Sequence, residues 1–475
     1  MDEKDKQIYG KLLCSIIAAG IMSFSGVVVE TAMNVTFPAL MKEFGIGTSV
    51  VQWITTGYLL VLAVIVPMSS YLKRRFYMKT LFTAAVCLFI CGTVMAAAAP
   101  AFLILLMGRI IQGIGTGIAL PLMFNIVLEQ VPREKLGLMM GIASLITAMA
   151  PAVGPSVGGL IVSNFGWRMI FIALLPLLVA SFFLGVFSIR QVTEVKKQPF
   201  PLRDCLLLAA GFACLIFAAS TASNTGWLSL PVLLLIAACV LCVAFFCRRS
   251  LLAETPLIDV RVFRCIPFSF NVMGIVLIQF ICLGLGFLIP NYAQIVSGQD
   301  AFLAGCLLLP GCLIGAALSP VSGKILDKFG AKKPIIAGNI SIILALICFS
   351  LSGVKLVTGA IIVFYMFFAF GQGSSVGNMM TNGLKQLPKE QNADGNAVIN
   401  TLQQLAGAVG TSVVTTIVAS SQSSFSGSMA AATAERTRNS FYLLAILAVA
   451  VLCCSCAAFF MIREKRANQK AVLTS

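Results

Sequence analysis

Glu30 is the one carboxylate of this sequence that stands inside a long apolar run; the other members of its 17 acidic residues fall in connections, tails or helix ends. An ionisable group within a membrane span costs ~2.5 to 3.5 kcal/mol on insertion scales, so a residue retained there is a candidate for function. Ser23, Gly26, Glu30 and Asn34 recur at spacings of three and four, which turns one polar stripe of the helix away from lipid. Arg109 is the only basic residue inside such a run. Counted inward from Pro38 and from Ala101, Glu30 and Arg109 both lie ~12 Å below the same boundary at the helical rise. No histidine is present, so any side chain that carries a proton at this depth is a carboxylate. Two readings stand for the pair: Glu30 exchanges a proton for a cation, or Glu30 and Arg109 form a fixed bridge that only joins helices.

Other polar residues sit at helical spacing around these two. Arg109, Gln112 and Thr116 share a face, while Gly113 and Gly117 admit a neighbouring helix closely. Farther on, Gly154, Gly158 and the adjacent Gly159 form a small-residue ridge broken by Pro151 and Pro155, which taken alone is a tight or kinked packing helix. Asn396, Asn400, Gln403 and Gly407 make one polar stripe, and Ser375, Asn378 and Asn382 make another, with Gln279 alone in its run. Buried amides of this kind either join helices or line a cavity. Phe364, Tyr365, Phe367 and Phe368 cover more than one helical face, which suits lipid contact better than a cavity wall.

The elements that must position these residues follow from composition. The chain has 475 residues, 59% of them hydrophobic and 11% charged, with a mean hydropathy of +0.99; its solvent is lipid. The 16 cysteines lie almost wholly in apolar runs without metal-ligand spacing and read as polarizable filler. The first apolar run is a mature helix, being too long and too lightly preceded by basic charge for a cleaved leader. Runs of about twenty residues must cross as helices, because lipid offers backbone groups no partners. Fourteen are expected, near 12–38, 51–71, 78–99, 101–128, 136–162, 167–189, 205–222, 228–247, 267–291, 301–323, 334–353, 356–382, 394–419 and 440–462. With the N-terminus placed in the cytoplasm, 27 of the 33 basic residues fall on the inner side and 5 on the outer. The formal charge of +16 is therefore an orientation signal, not a nucleic-acid footprint, and both termini are expected inside. Pro67, Ser69, Leu72, Arg75, Phe76 and Lys79 recur as Pro320, Ser322, Ile325, Lys328, Phe329 and Lys332 at one offset of 253. A parallel repeat of this kind sets the second span against the tenth and leaves six spans, two extra spans and six more.

On these residues the chain resembles the major facilitator superfamily, and within it the fourteen-span drug:proton antiporters of the EmrB/QacA type, among them the lincomycin-resistance exporters. Arg109, Gln112, Gly113 and Gly115 are similar to the family's fourth-span motif, whose arginine the resemblance implicates in proton coupling. Gly154, Pro155, Gly158 and Gly159 look like the fifth-span motif that marks antiporters. Gly323, Asp327, Lys328, Gly330 and Lys332 match the cytoplasmic loop motif that locks helices during alternation. Asn34 with Pro38, the run Gln52 to Tyr58, Pro310-Gly311, and Asn400 with Gln403, Gln404 and Gly407 look like the family at matching places. Two positions depart from it: Arg74 stands where the family commonly has aspartate, and Tyr77 where it has glycine. Glu30 stands one place later than the aspartate of many relatives.

The resulting expectation is an all-α polytopic membrane protein of the major facilitator fold, two six-helix bundles related by a pseudo-twofold axis plus two extra transmembrane helices. Residues 1–200 form the N-terminal bundle, 201–264 the inserted pair and its linker, and 265–475 the C-terminal bundle. The expected function is proton-coupled efflux of small amphipathic or cationic compounds by alternating access, in a bacterial cytoplasmic membrane, without enzymatic activity, metal or cofactor. A lipid or envelope-precursor flippase, or a dedicated metabolite exporter, is the alternative on the same fold. Glu30 and Arg109 couple protons; Asn34, Tyr58, Gln112, Gln279, Asn378, Asn400 and Gln403 line the substrate cavity. The expected partners are a drug-like small molecule, protons and the bilayer, the protein being a monomer that binds no nucleic acid. A channel is disfavoured, since no pore loop or ring of repeated charge is present.

Overall fold

The structure, a computed structural model, describes residues 3–191, 195, 200–353, 356–422 and 429–474. No strand occurs among the described residues, and fourteen helices of 20 to 46 residues run in succession. They are α1 (Glu3–Phe44), α2 (Trp53–Arg75), α3 (Met78–Ala97), α4 (Phe102–Gln130), α5 (Leu136–Phe165), α6 (Arg168–Ser188), α7 (Leu202–Thr225), α8 (Leu230–Leu252), α9 (Ile266–Ile295), α10 (Leu309–Phe329), α11 (Lys332–Ser352), α12 (Thr358–Leu384), α13 (Asn392–Gln422) and α14 (Met429–Thr474). Each corresponds to one expected apolar run, because a helix is the only open-ended segment that satisfies its own backbone in hydrocarbon.

Twelve helices among the described residues are long and apolar enough to cross a membrane, and a further one is a pair, Arg133–Pro151 with Val153–Phe165, bent by 41°. The bend falls where Pro151 removes a backbone donor. The long helix missing from that set is α13, whose Asn396, Asn400, Gln403 and Gln404 lower its apolarity. Helix ends depart from the apolar runs where charge continues the helix beyond lipid: α1 runs through Lys42 to Phe44, and α14 extends well past residue 462. Gly330 ends α10 at φ +83°, a backbone conformation that glycine adopts without Cβ strain. The expected tenth span divides into a short turn of helix, Ala301–Cys306, and α10, whose first turn holds Pro310. The short piece expected between α8 and α9 is a 3-10 turn, Val260–Arg264, capped by the Asp259 side chain accepting from Arg261 N at 3.0 Å. Most of the linker between Arg190 and Pro201 lies outside the described residues.

The chain divides into two units, Met1–Arg133 with Ile146–Ile216 and Cys239–Ile258, and Glu134–Leu145 with Phe217–Ala238 and Asp259–Ser475. In the first, α4 packs on α1, α2 and α3, and α6 packs on α1 and α3. In the second, α12 packs on α9, α10 and α11, and α14 packs on α9 and α11. The pairings are the same eight helices later, so the sequence repeat is a repeat of packing. Both units bring their third and fourth helices together on glycine. A Cβ on Gly92 would lie 2.6 Å from Gly108 O, and one on Gly338 would lie 2.7 Å from Gly371 O, distances no side chain tolerates.

Candidate functional site

The first unit buries a polar network where α1, α2, α3 and α4 meet. Arg109 on α4 is fully buried, and its Nη1 donates to Gln112 Oε1 at 2.9 Å. Gln112 Nε2 donates to Thr93 Oγ1 on α3 at 2.8 Å, and Thr93 donates to Phe89 O at 2.7 Å. The guanidinium lies over the Tyr58 ring of α2, Cζ to centroid 4.1 Å, where the π face offsets part of the desolvated charge. Tyr58, itself fully buried, stands with its Oη 2.9 Å from Gly26 O on α1 and 2.8 Å from Thr116 Oγ1, and can donate to either. Gly26 is required by this closeness, since a Cβ there would lie 3.0 Å from Thr116 Cβ.

Two of the three guanidinium nitrogens remain unbonded: Arg109 Nε and Nη2 have no hydrogen-bond partner. Glu30, one turn beyond Gly26 on α1, is half-buried and interacts electrostatically with both Arg109 and Tyr58. No ion pair within 4.0 Å among the described residues includes Glu30 or Arg109. The carboxylate and the cation are therefore neighbours held apart, with donors on one and acceptor capacity on the other left over. Asn34, a turn farther on, is exposed and accepts from Thr55 Oγ1 at 3.2 Å.

The glycine ridge of α5 bears on the part of α1 that carries Glu30. A Cβ on Gly154 would lie 2.9 Å from Val28 O, and one on Gly158 would lie 2.8 Å from Ala32 Cβ. Gly159 is looser, with only Val35 Cγ1 at 3.8 Å, and Pro155 lies in the same helix. Gly113 and Gly117 face Val61 and Ile65 of α2, while Gly115 faces Ala85 O of α3.

In the second unit, Asp327 near the end of α10 caps the start of α5. Its Oδ1 accepts from Gly137 N at 2.8 Å and its Oδ2 from Leu138 N at 2.9 Å, so a full negative charge meets the positive end of a helix dipole. Gly323 lets the two backbones touch there, since a Cβ would reach Leu138 Cα at 3.0 Å. Lys328 Nζ lies 5.3 Å from the Phe329 ring centroid. Position 74, the repeat partner of Asp327, reverses the chemistry: Arg74 Nη2 donates to Pro256 O at 2.7 Å and Leu257 O at 3.1 Å within the first unit.

The expected cavity residues are not alike. Asn378 is buried and donates to Ser322 Oγ at 2.6 Å and Ser374 O at 2.9 Å, joining α12 to α10. Asn400 donates to Asn396 Oδ1 at 2.7 Å within α13. Gln279 and Gln403 are half-buried. Thr93 belongs to the network without having been singled out in the sequence; its only signal is that it is the one hydroxyl in the second half of α3, after Thr80 and Thr83 in the first two turns.

A family model for the Major Facilitator Superfamily matches residues 16–411. This chain belongs to that superfamily. The lincomycin resistance protein LmrB of Listeria monocytogenes is 37% identical over 408 residues, 85% of this chain and 86% of the relative, and LmrB of Bacillus subtilis is 36% identical over 411 residues, 86% of this chain and 85% of the relative. The tetracenomycin C resistance and export protein of Streptomyces glaucescens is 28% identical, over 85% of this chain and 75% of the relative. Among solved structures, the proton:xylose symporter XylE is similar with a TM-score of 0.64 at 16% identity, covering 96% of each chain. The human organic anion transporter MFSD10 has a TM-score of 0.63 at 13% identity, covering 92% of this chain and 99% of that one; both likenesses concern the fold alone. The protein is a multi-pass membrane transporter of this superfamily, not an enzyme.

Proposed function

We propose that the chain exports small amphipathic and cationic compounds from a bacterial cell in exchange for protons, by alternating access in the cytoplasmic membrane. Relatives named for lincomycin resistance and for tetracenomycin C resistance and export support the direction and the class of cargo. The observation that carries the coupling is the open arrangement of Glu30 and Arg109: a half-buried carboxylate without an ion-pair partner beside a buried guanidinium with two unbonded nitrogens. A permanent bridge would occupy both groups; an open pair lets Glu30 take a proton in one state and bind a cation, or Arg109, in another. Protonation from outside neutralises the carboxylate and loosens its hold on a cationic cargo; loss of the proton to the inside restores it. In this reading α13 crosses the membrane as the thirteenth of fourteen spans, both termini are cytoplasmic, and residues 1–200, 201–264 and 265–475 are the first bundle, the inserted pair and the second bundle. The transporter works as a monomer.

Everted vesicles carrying the full chain, with an imposed gradient acid inside, test this by uptake of tetraphenylphosphonium and of lincomycin. Glu30→Gln is expected to lower gradient-driven uptake by about tenfold or more while leaving gradient-free exchange of labelled for unlabelled cargo measurable. Gradient-driven uptake left intact in Glu30→Gln overturns the assignment.

A further inference from the structure

The second unit holds an uncharged counterpart of the Arg109 centre. The reciprocal glycine contact aligns the fourth helix of each unit, Gly108 of α4 with Gly371 of α12. The next residue is Arg109 in one unit and Gln372 in the other. Gln372 turns to α9, the helix that packs on α12 as α1 packs on α4. There its Nε2 donates to Cys282 Sγ at 3.2 Å, with the same sulfur 3.6 Å from its Oε1. Next to this pair, Tyr365 Oη of α12 stands 3.5 Å from Cys312 Sγ of α10. Cys282, Cys312 and Gln372 are half-buried and Tyr365 is buried.

An amide and a phenol enclosed among helices ordinarily find strong partners, because an unmade hydrogen bond in hydrocarbon is destabilising. These two have thiols, which are weak donors and weak acceptors. One N–H of the amide and one lone pair of its carbonyl take no part in these contacts, and the bonds to sulfur are weak, so a guest that offers a hydroxyl or an amide gains more than the thiols lose. No carboxylate, lysine or arginine takes part in these contacts, so nothing in the cluster favours a charged guest. We infer that Cys282, Cys312, Tyr365 and Gln372 form a binding site for the uncharged hydroxyl and amide groups of an amphipathic cargo, separate from the ionisable centre of the first unit. This rests on the export reading for its physiological meaning, but not for its test.

The purified full chain in lipid vesicles is treated with N-ethylmaleimide, and modification at each cysteine is followed by peptide mass spectrometry. Chloramphenicol, a neutral compound with hydroxyl and amide groups, is expected to slow modification of Cys282 and Cys312 by about tenfold at saturation. Tetraphenylphosphonium, which has no hydrogen-bonding group, leaves both rates unchanged, and the exposed Cys87 and Cys91 respond to neither. Gln372→Leu removes the chloramphenicol protection while keeping the thermal unfolding temperature of the unchanged chain, which shows that the variant is folded. The inference is overturned if chloramphenicol does not protect, if both compounds protect alike, or if Gln372→Leu keeps the protection. Protection needs no pH gradient: a chain that shows selective protection without gradient-driven transport sinks the export reading and leaves this site standing.

Discussion

A buried guanidinium needs its charge spread over neighbours, and for Arg109 those neighbours are one amide oxygen and one aromatic face. The ring of Tyr58 and its hydroxyl do separable work. Tyr58→Phe keeps the platform under Arg109 and loses the contact with Gly26, so thermal unfolding of the purified protein should shift by the equivalent of about 1 kcal/mol, with transport largely retained. Tyr58→Leu removes the platform; transport in vesicles should fall far more than stability does, since the cation loses an interaction of about 1 to 2 kcal/mol in a desolvated site. Equal effects of the two changes would show that the ring has no special part. A second test of the open pair is proton release: adding tetraphenylphosphonium to weakly buffered wild-type protein should acidify the solution as Glu30 gives up its proton, and Glu30→Gln should show no such signal.

At the scale of elements, two glycine contacts fix how α1 presents Glu30. Gly158→Leu would drive a branched side chain into Ala32, an overpacking that typically destabilises by about 1 to 3 kcal/mol, and should be read out as a lowered unfolding temperature together with lost uptake. Arg74→Ala should free the segment at Pro256 and Leu257, measurable as faster proteolysis or hydrogen exchange between residues 253 and 259 while exchange in α2 is unchanged. Much of this layer was legible in the sequence. Apolar run length fixes each helix, the lone ions Glu30 and Arg109 mark the centre, and Gly154 and Gly158 announce a close crossing. What could not be read is direction. Asn378 and Gln372 are chemically the same amide on one helix, yet one faces a serine of α10 and the other a thiol of α9. Tyr58 lay in a run that reads as cavity wall, and only packing shows its ring beneath a cation. Arg74 was visible as a departure from the family pattern, but its carbonyl partners lie 182 and 183 residues away, beyond any local rule.

For the whole molecule, α1–α4 with α6 and α9–α12 with α14 pack alike, while the position after the shared glycine of the fourth helix carries a cation, Arg109, in one copy and an amide, Gln372, in the other. The helix α13 carries a separate implication. Its four amides, Asn396, Asn400, Gln403 and Gln404, make it less apolar than the helices around it, and each raises the cost of entering lipid alone, while its neighbours in the finished protein include α9 and α14. A chain cut after residue 422, which keeps α9 but lacks α14, is therefore expected to insert α13 less completely than the full chain, which labelling of cysteines introduced along α13 would measure. Order of assembly, and not only the final contacts, is written into where this helix keeps its polar side chains.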